Sequence, residues 1–238
     1  MVNTTDIYKD IITSAAKGKK MAAVLIDPDK FSAEKAGHFL NHLPGWITHI
    51  FIGGSTDAGN RTEHTVLCVK SLSKLPVILF PGDHSQITEL ADGILFLNLV
   101  SGRNPEYLIG QQVKAAEKLH KASLEIIPTG YILIDGGKEC AVERVSKTKP
   151  ISQDDISLIV NTALAAQLMG NKLIYLEAGS GALDPVSPDI IKAVKEVVSI
   201  PMIVGGGIRT RQQQRMALDA GADLLVVGTA FEEAFVSL

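Results

Sequence analysis

Short runs of aliphatic and β-branched residues recur along the chain, separated by longer segments whose apolar positions return every three or four residues. The runs are Met21–Ile26, His49–Ile52, 77–80, 93–97, 124–127, 173–176, 202–204 and Leu224–Val227. They are apolar almost throughout. Strands with one wet face would alternate, so this pattern predicts parallel strands buried on both sides. The intervening segments predict helices. Residues 105–119 open on Pro105 at a first-turn position, and residues 156–169 follow the acidic start Gln153-Asp154-Asp155. Ile190, Val194 and Val197 mark one face of a seventh helix, and residues 211–220 end at Gly221, a C-terminal stop signal. Before the first strand, Ile7, Ile11 and Ala15 at spacing four predict one extra amphipathic helix.

Alternating strands and helices mean a parallel sheet. About eight such units in 238 residues favour one closed (β/α)8 (TIM) barrel over an open doubly wound sheet, with residues 1–238 as a single domain. The longest irregular piece is residues 131–150, rich in Gly and Lys. A loop of that length in a compact domain is usually functional, the bland alternative being a surface excursion.

Composition narrows the class. Apolar residues at 46% and charged residues at 21% exclude a disordered chain. A net charge of −3 gives no basic footprint, which argues against nucleic acid as a partner. Cys68 and Cys140 have no metal-ligand spacing and predict a reduced, cytoplasmic setting. No apolar run resembles a signal peptide or reaches the ~18 residues of a membrane span, so no transmembrane segment is expected. Transient contact with a membrane-derived substrate stays open.

In such barrels chemistry gathers at the C-terminal strand ends. Asp27-Pro28-Asp29-Lys30 follows the first run; its carboxylates are hard oxygen donors of the kind Mg²⁺ prefers, or else Asp27 caps the next helix. Gly53-Gly54-Ser55 follows the second, where glycines admit close ligand approach and Ser55 offers a hydroxyl. Tyr175-Leu176-Glu177-Ala178-Gly179-Ser180-Gly181 places a carboxylate at the sixth strand end, costly unless it has a task or a partner. Gly205-Gly206-Gly207-Ile208 and Gly228-Thr229 follow the last two strands, the positions where barrels commonly hold phosphate. The six histidines are scattered, and His84 is expected to be a solvated loop residue. No dinucleotide fingerprint or Walker loop is present.

In this order, the motifs at Asp27, Gly53, Tyr175 and Gly205 resemble those of the geranylgeranylglyceryl phosphate synthases, from the first strand to the last. Ser101-Gly102-Arg103-Asn104-Pro105-Glu106-Tyr107 and Pro128-Thr129-Gly130-Tyr131 are similar to that family's larger branch, which includes the archaeal enzymes. The resemblance implies a Mg²⁺-dependent prenyltransferase joining sn-glycerol 1-phosphate to a polyprenyl diphosphate, and a homo-oligomer. It implies metal ligation by Asp27 and Ser55. It also implies a glycerol-phosphate site at Tyr175 to Gly181, Gly205, Gly206, Gly228 and Thr229, with Glu177 and Asp27 as the catalytic carboxylates. Leu25 stands where the smaller bacterial branch carries a phosphate-contacting lysine. Read from the residues alone, a sugar-phosphate isomerase or lyase, a flavin- or nucleotide-phosphate-binding barrel, and a catalytically idle barrel remain alternatives.

Overall fold

The computed structural model describes residues 6–54 and 61–228. Eight parallel strands close into a barrel in sequence order: β1 (Met21–Ile26), β2 (His49–Ile52), β3 (Val77–Leu79), β4 (Gly93–Leu99), β5 (Glu125–Leu133), β6 (Leu173–Glu177), β7 (Met202–Gly205) and β8 (Leu224–Val227). β8 returns to β1 in the register Met21–Leu224, which seals the ring.

Because side chains alternate across a strand, each strand feeds two cores. Ala23, Phe51, Ile78, Leu95, Ile127 and Ile203 point inward and fill the barrel. Val24, Ile50, Leu79, Ile94, Leu176 and Val204 point outward against the helices. Helix α1 (Ile7–Ala16) belongs to the inner core through Ile7 and Ile11, both fully buried. Its first free N–H groups, Ile7 and Tyr8, donate to the Glu125 carboxylate at the start of β5, so the barrel floor caps the helix that closes it.

The outer helices are α2 (Ala33–Asn41), α3 (Thr62–Leu72), α4 (Gln111–Lys121), α5 (Ala141–Ser146), α6 (Ile156–Leu168), α7 (Pro188–Val197) and α8 (Arg211–Asp219). Asp155 caps α6 and a Thr210–Gln213 capping box opens α8. On α7 the buried stripe is Ile190, Ile191 and Val194; Val197, expected on it, is 41% exposed at the last residue of the helix.

Three segments depart from the pattern read in the sequence, and each shapes the barrel mouth. β5 runs on through Pro128-Thr129-Gly130 to Leu133, so residues 131–133 of the expected loop are strand. Gly130 is needed there for packing, since a Cβ would stand 2.7 Å from that of Ala166 on α6. The rest of the expected loop contains α5, and its ends are pinned by an Ile134–Ile151 bridge. The segment expected as a helix from 105 begins instead as a wide π turn, Glu106–Gly110. Carboxamides tie the turn to β4: Asn98 donates to Leu108 O, and Gln112 donates to Tyr107 O and to Leu97 O.

The third departure matters most. Between β3 and β4 there is no α-helix, only a single 3₁₀ turn, His84–Gln86. β3 is short, and it meets β4 only at Ile78–Gly93 and Leu79–Ile94, whereas β4 and β5 pair from Gly93–Glu125 to Leu99–Tyr131. The barrel wall is therefore open above Leu79, on the side where a third helix would have covered it.

Candidate active site

Glu177 ends β6 on the inward parity of Leu173 and Tyr175, which aims its carboxylate at the barrel mouth. It is 6% exposed and forms no ion pair among the described residues. Its Oε1 accepts the Gly179 N–H at 2.7 Å. Tyr175 Oη approaches closely enough to favour the ionised form somewhat, although it falls short of full hydrogen-bond geometry. Burial outweighs both and raises the Glu177 pKa to about 7. A carboxylate tuned to neutrality can take a proton at the pH at which it works.

Glycines make the space around it. A Cβ on Gly205 would stand 2.5 Å from Tyr175 Oη, and one on Gly206 would stand 2.5 Å from Glu177 Oε1 and 2.6 Å from Gly179 N. Gly206 also holds φ +83°, a conformation that strains any other residue. Below the carboxylate, Phe80, Tyr131 and Tyr175 form a trio of rings, with centroids 5.2–6.0 Å apart. Burial, and secondarily the Glu177 charge, push both tyrosine hydroxyls well above their ordinary pKa, so they act only as neutral groups.

A cavity of about 410 Å³ opens from this point. At one end lie Ser180, Gly181, Gly206, Gly207 and Gly228. Their five N–H groups have no acceptor among the described residues, a concave wall of donors suited to an anion. The other end is apolar. It touches Leu95 and Leu97 on the inner face of β4, and also Ile94 and Phe96 on its outer face, together with Ala115 on α4. Only a passage through the gap above β3 reaches both faces of that strand.

Asp27 lines the same cavity from β1, three strand steps from Glu177 around the ring. Its Oδ1 accepts the Asp29 N–H at 3.0 Å and its Oδ2 lies 3.6 Å from Lys30 Nζ. Ser32 holds the N-cap position of helix α2, without a side-chain capping bond, and Asp27 lies five residues before it and takes the Asp29 N–H, so Asp27 is not the cap of that helix. Ser55 and Thr229 lie outside the described residues. Leu176 points to the outer core with Ala178, the Gly179 N–H is used by Glu177, and Gly205 makes room for Tyr175. These four support the site without lining its cavity. Gly53 lines it, but the glycine is required because a Cβ would collide with Phe80 O, 1.9 Å away.

Several cavity residues are not singled out as site residues by the sequence. Phe80 and Tyr131 (the latter noted only within the Pro128-Thr129-Gly130-Tyr131 motif) arrive by strand parity, Gln112 by helix phase, and Arg209 from the loop after β7. His84 is exposed, as expected of a loop histidine, but it also lines the cavity and is held by Gln111 Oε1 on the far wall. Among the described residues no three His, Cys, Asp or Glu side chains come together as a metal nest, and no helix is long and apolar enough to cross a membrane.

Comparison with known proteins agrees with this geometry. The chain is 60% identical over 224 residues to a geranylgeranylglyceryl phosphate synthase of Zunongwangia profunda, covering 94% of this chain and 96% of the relative. It is 44% identical over 234 residues to the enzyme of that name from Pyrococcus abyssi, covering 98% and 92%. The crystal structure of (S)-3-O-geranylgeranylglyceryl phosphate synthase from Thermoplasma acidophilum, in complex with its substrate sn-glycerol-1-phosphate, superposes with a TM-score of 0.89 at 37% identity, covering 95% and 91%. The PcrB family model matches residues 16–237, and the chain belongs to the PcrB family.

Proposed function

We propose that this protein joins sn-glycerol 1-phosphate to a polyprenyl diphosphate of the geranylgeranyl type, forming an ether-lipid precursor and releasing diphosphate. One observation carries the reading: a single cavity has a glycine-lined donor wall at one end and an apolar arm at the other, with a buried carboxylate of pKa about 7 between them. A sugar-phosphate isomerase would use the donor wall and the carboxylate but would have no use for the apolar arm. The relatives' names and the glycerol-phosphate complex of the Thermoplasma enzyme support the same reading.

The donor wall fixes the phosphate, and with it the C3 hydroxyl, near Glu177. Glu177 in its ionised form accepts the hydroxyl proton. The C3 oxygen forms a bond to C1 of the prenyl donor as the bond from C1 to the diphosphate oxygen breaks, and the diphosphate departs with that electron pair. The apolar arm holds the tail and keeps water from the allylic carbon.

Asp27 and Ser55 are the residues we assign to Mg²⁺. The donors present fit that ion: a carboxylate at the mouth, with Asp83 elsewhere in the lining of the same cavity, suits a cation that takes most of its other ligands from water and substrate phosphates. When bound, Mg²⁺ supplies charge neutralisation for the leaving diphosphate. We further read the protein as a cytoplasmic homo-oligomer, which light scattering tests: a monomer alone at micromolar concentration would count against it.

The deciding experiment incubates the protein with Mg²⁺, labelled sn-glycerol 1-phosphate and prenyl diphosphates of graded length, and extracts the lipid. Labelled ether product is expected, and Glu177→Gln should lower its turnover by roughly 10²–10⁴. Wild-type protein that makes no ether lipid from any donor would overturn the proposal.

A further inference from the structure

We infer that Arg209 provides the positive charge that holds the substrate's phosphate against the donor wall, an assignment that rests on the function proposed above. The wall itself is neutral, built from the N–H groups of Ser180, Gly181, Gly206, Gly207 and Gly228. A phosphate monoester brings roughly −1.5 to −2 charges at neutral pH. Working against it is Glu177, which must be ionised to act as a base.

The cavity's cations decide where compensation comes from. β1 offers none beside the wall: Leu25 Cβ lies 3.7 Å from the point a Gly228 Cβ would occupy. Lys30 pairs with Asp27 on the prenyl-diphosphate side, and His84 is tied to Gln111 on the far wall. Arg209 remains. It follows Gly207 by two residues and lines the same cavity. No carboxylate among the described residues pairs with it.

Its placement is built. The Arg209 N–H donates to Gln213 Oε1, part of the arrangement that opens α8. Its guanidinium donates from one Nη to Ala182 O at 2.6 Å, and Ala182 belongs to the loop that also carries Ser180 and Gly181. The head group thus bridges the two loops that form the wall. One tethered N–H leaves the rest of the planar fork for the oxygens of a phosphate. A tethered arginine also loses less freedom on binding than a free one.

Calorimetric titration of sn-glycerol 1-phosphate and of inorganic phosphate into wild-type protein, Arg209→Gln and Arg209→Lys tests the assignment. Arg209→Gln should weaken both ligands about 10- to 100-fold, the usual worth of a charged hydrogen-bonded contact. The salt dependence of binding should flatten in the same variant. Arg209→Lys keeps the charge and should fall between the two. The Michaelis constant for glycerol phosphate should rise in Arg209→Gln along with the dissociation constant. Wild-type affinity in Arg209→Gln would overturn the assignment and leave the proposed function standing. So would equal losses in the Gln and Lys variants, because the tether to Ala182 rather than the charge would then be what matters. A wild-type protein that binds neither ligand would instead overturn the proposed function, and this assignment with it.

Discussion

Glu177→Gln should make the protein more stable at neutral pH while nearly abolishing its activity. Burial raises the Glu177 pKa from an ordinary 4.5 to about 7, so the folded protein holds this proton more tightly than the unfolded chain does. Between those values the folded state carries more protons, and stability falls as pH rises; above pH 7 the whole cost is present. At 1.36 kcal/mol per pKa unit the cost is about 3 kcal/mol. Glutamine carries no charge and still accepts the Gly179 N–H, so it removes the cost and keeps the contact. Urea unfolding followed by circular dichroism at pH 8 should show the variant more stable by about 3 kcal/mol, or roughly 6–12 °C in melting temperature for a chain of this size. The advantage should close towards pH 4, where wild-type Glu177 is itself neutral. His49 supplies an internal control. Buried at the start of β2, it has its pKa lowered by burial to about 4, so its contribution is complete above pH 6.5 and is lost as pH falls through that range. In wild type the two trends oppose each other between pH 4.5 and 6.5. In Glu177→Gln only the histidine trend remains, and the variant should lose stability on acidification more steeply. Equal stability of the two proteins at pH 8, or an offset that stays constant from pH 8 to pH 4, would refute the reasoning.

Asp27→Ala should lose most turnover with little change in melting temperature, and chelator should silence the wild type until Mg²⁺ is restored; full activity of the variant under saturating chelator would refute the metal assignment. Gly206→Ala should cost about 1–3 kcal/mol of stability and raise the Michaelis constant for glycerol phosphate, because the new Cβ meets Glu177 Oε1 and the Gly179 N–H in a backbone conformation that disfavours it. Ala115→Phe places bulk in the apolar arm and should shift preference towards shorter prenyl donors, read from competition between donors of two lengths; unchanged preference would place the tail elsewhere.

Much of the barrel was legible because its strands are wet on neither face. Their apolar runs predict eight parallel strands, and parity then orients Tyr175 and Glu177 inward without further information. The glycines after β6, β7 and β8 were equally legible as a ligand wall, since several of their conformations are open only to glycine. What escaped was set by packing at a distance. Pro128-Thr129-Gly130 reads locally as a break, yet β5 continues because β4 and β6 satisfy its backbone and α6 lies against Gly130. The π turn before α4 depends on Asn98 and Gln112, whose carboxamides carry no local sign of where they will donate. Gly53, read as room for a ligand, lines the cavity and is also required by the close approach of Phe80 O after β3. Arg209 drew no reading from the sequence, and only the fold brings its guanidinium to Ala182 O.

The missing helix between β3 and β4 links fold to specificity. A standard barrel buries its strands under a complete ring of helices and confines substrates to the mouth. Here residues 80–92 contain Pro81-Gly82-Asp83, which stop the strand and leave length for only one 3₁₀ turn, anchored by Gln86 to Gly54 O and Gly82 N. With β3 short and that helix absent, Phe96 on the outer face of β4 is only partly covered, while Ile94 beside it is buried. α4 covers part of this surface through Ala115, and the cavity occupies the rest. Filling the arm with a hydrocarbon tail would bury apolar surface at roughly 25 cal/mol per Å². The charged end of the same ligand would remain at the mouth beside Asp27. A substrate with a polar head and no tail would leave that arm unfilled, which is why the absence of one helix favours a lipid precursor over a sugar phosphate on a barrel whose phosphate wall could serve either.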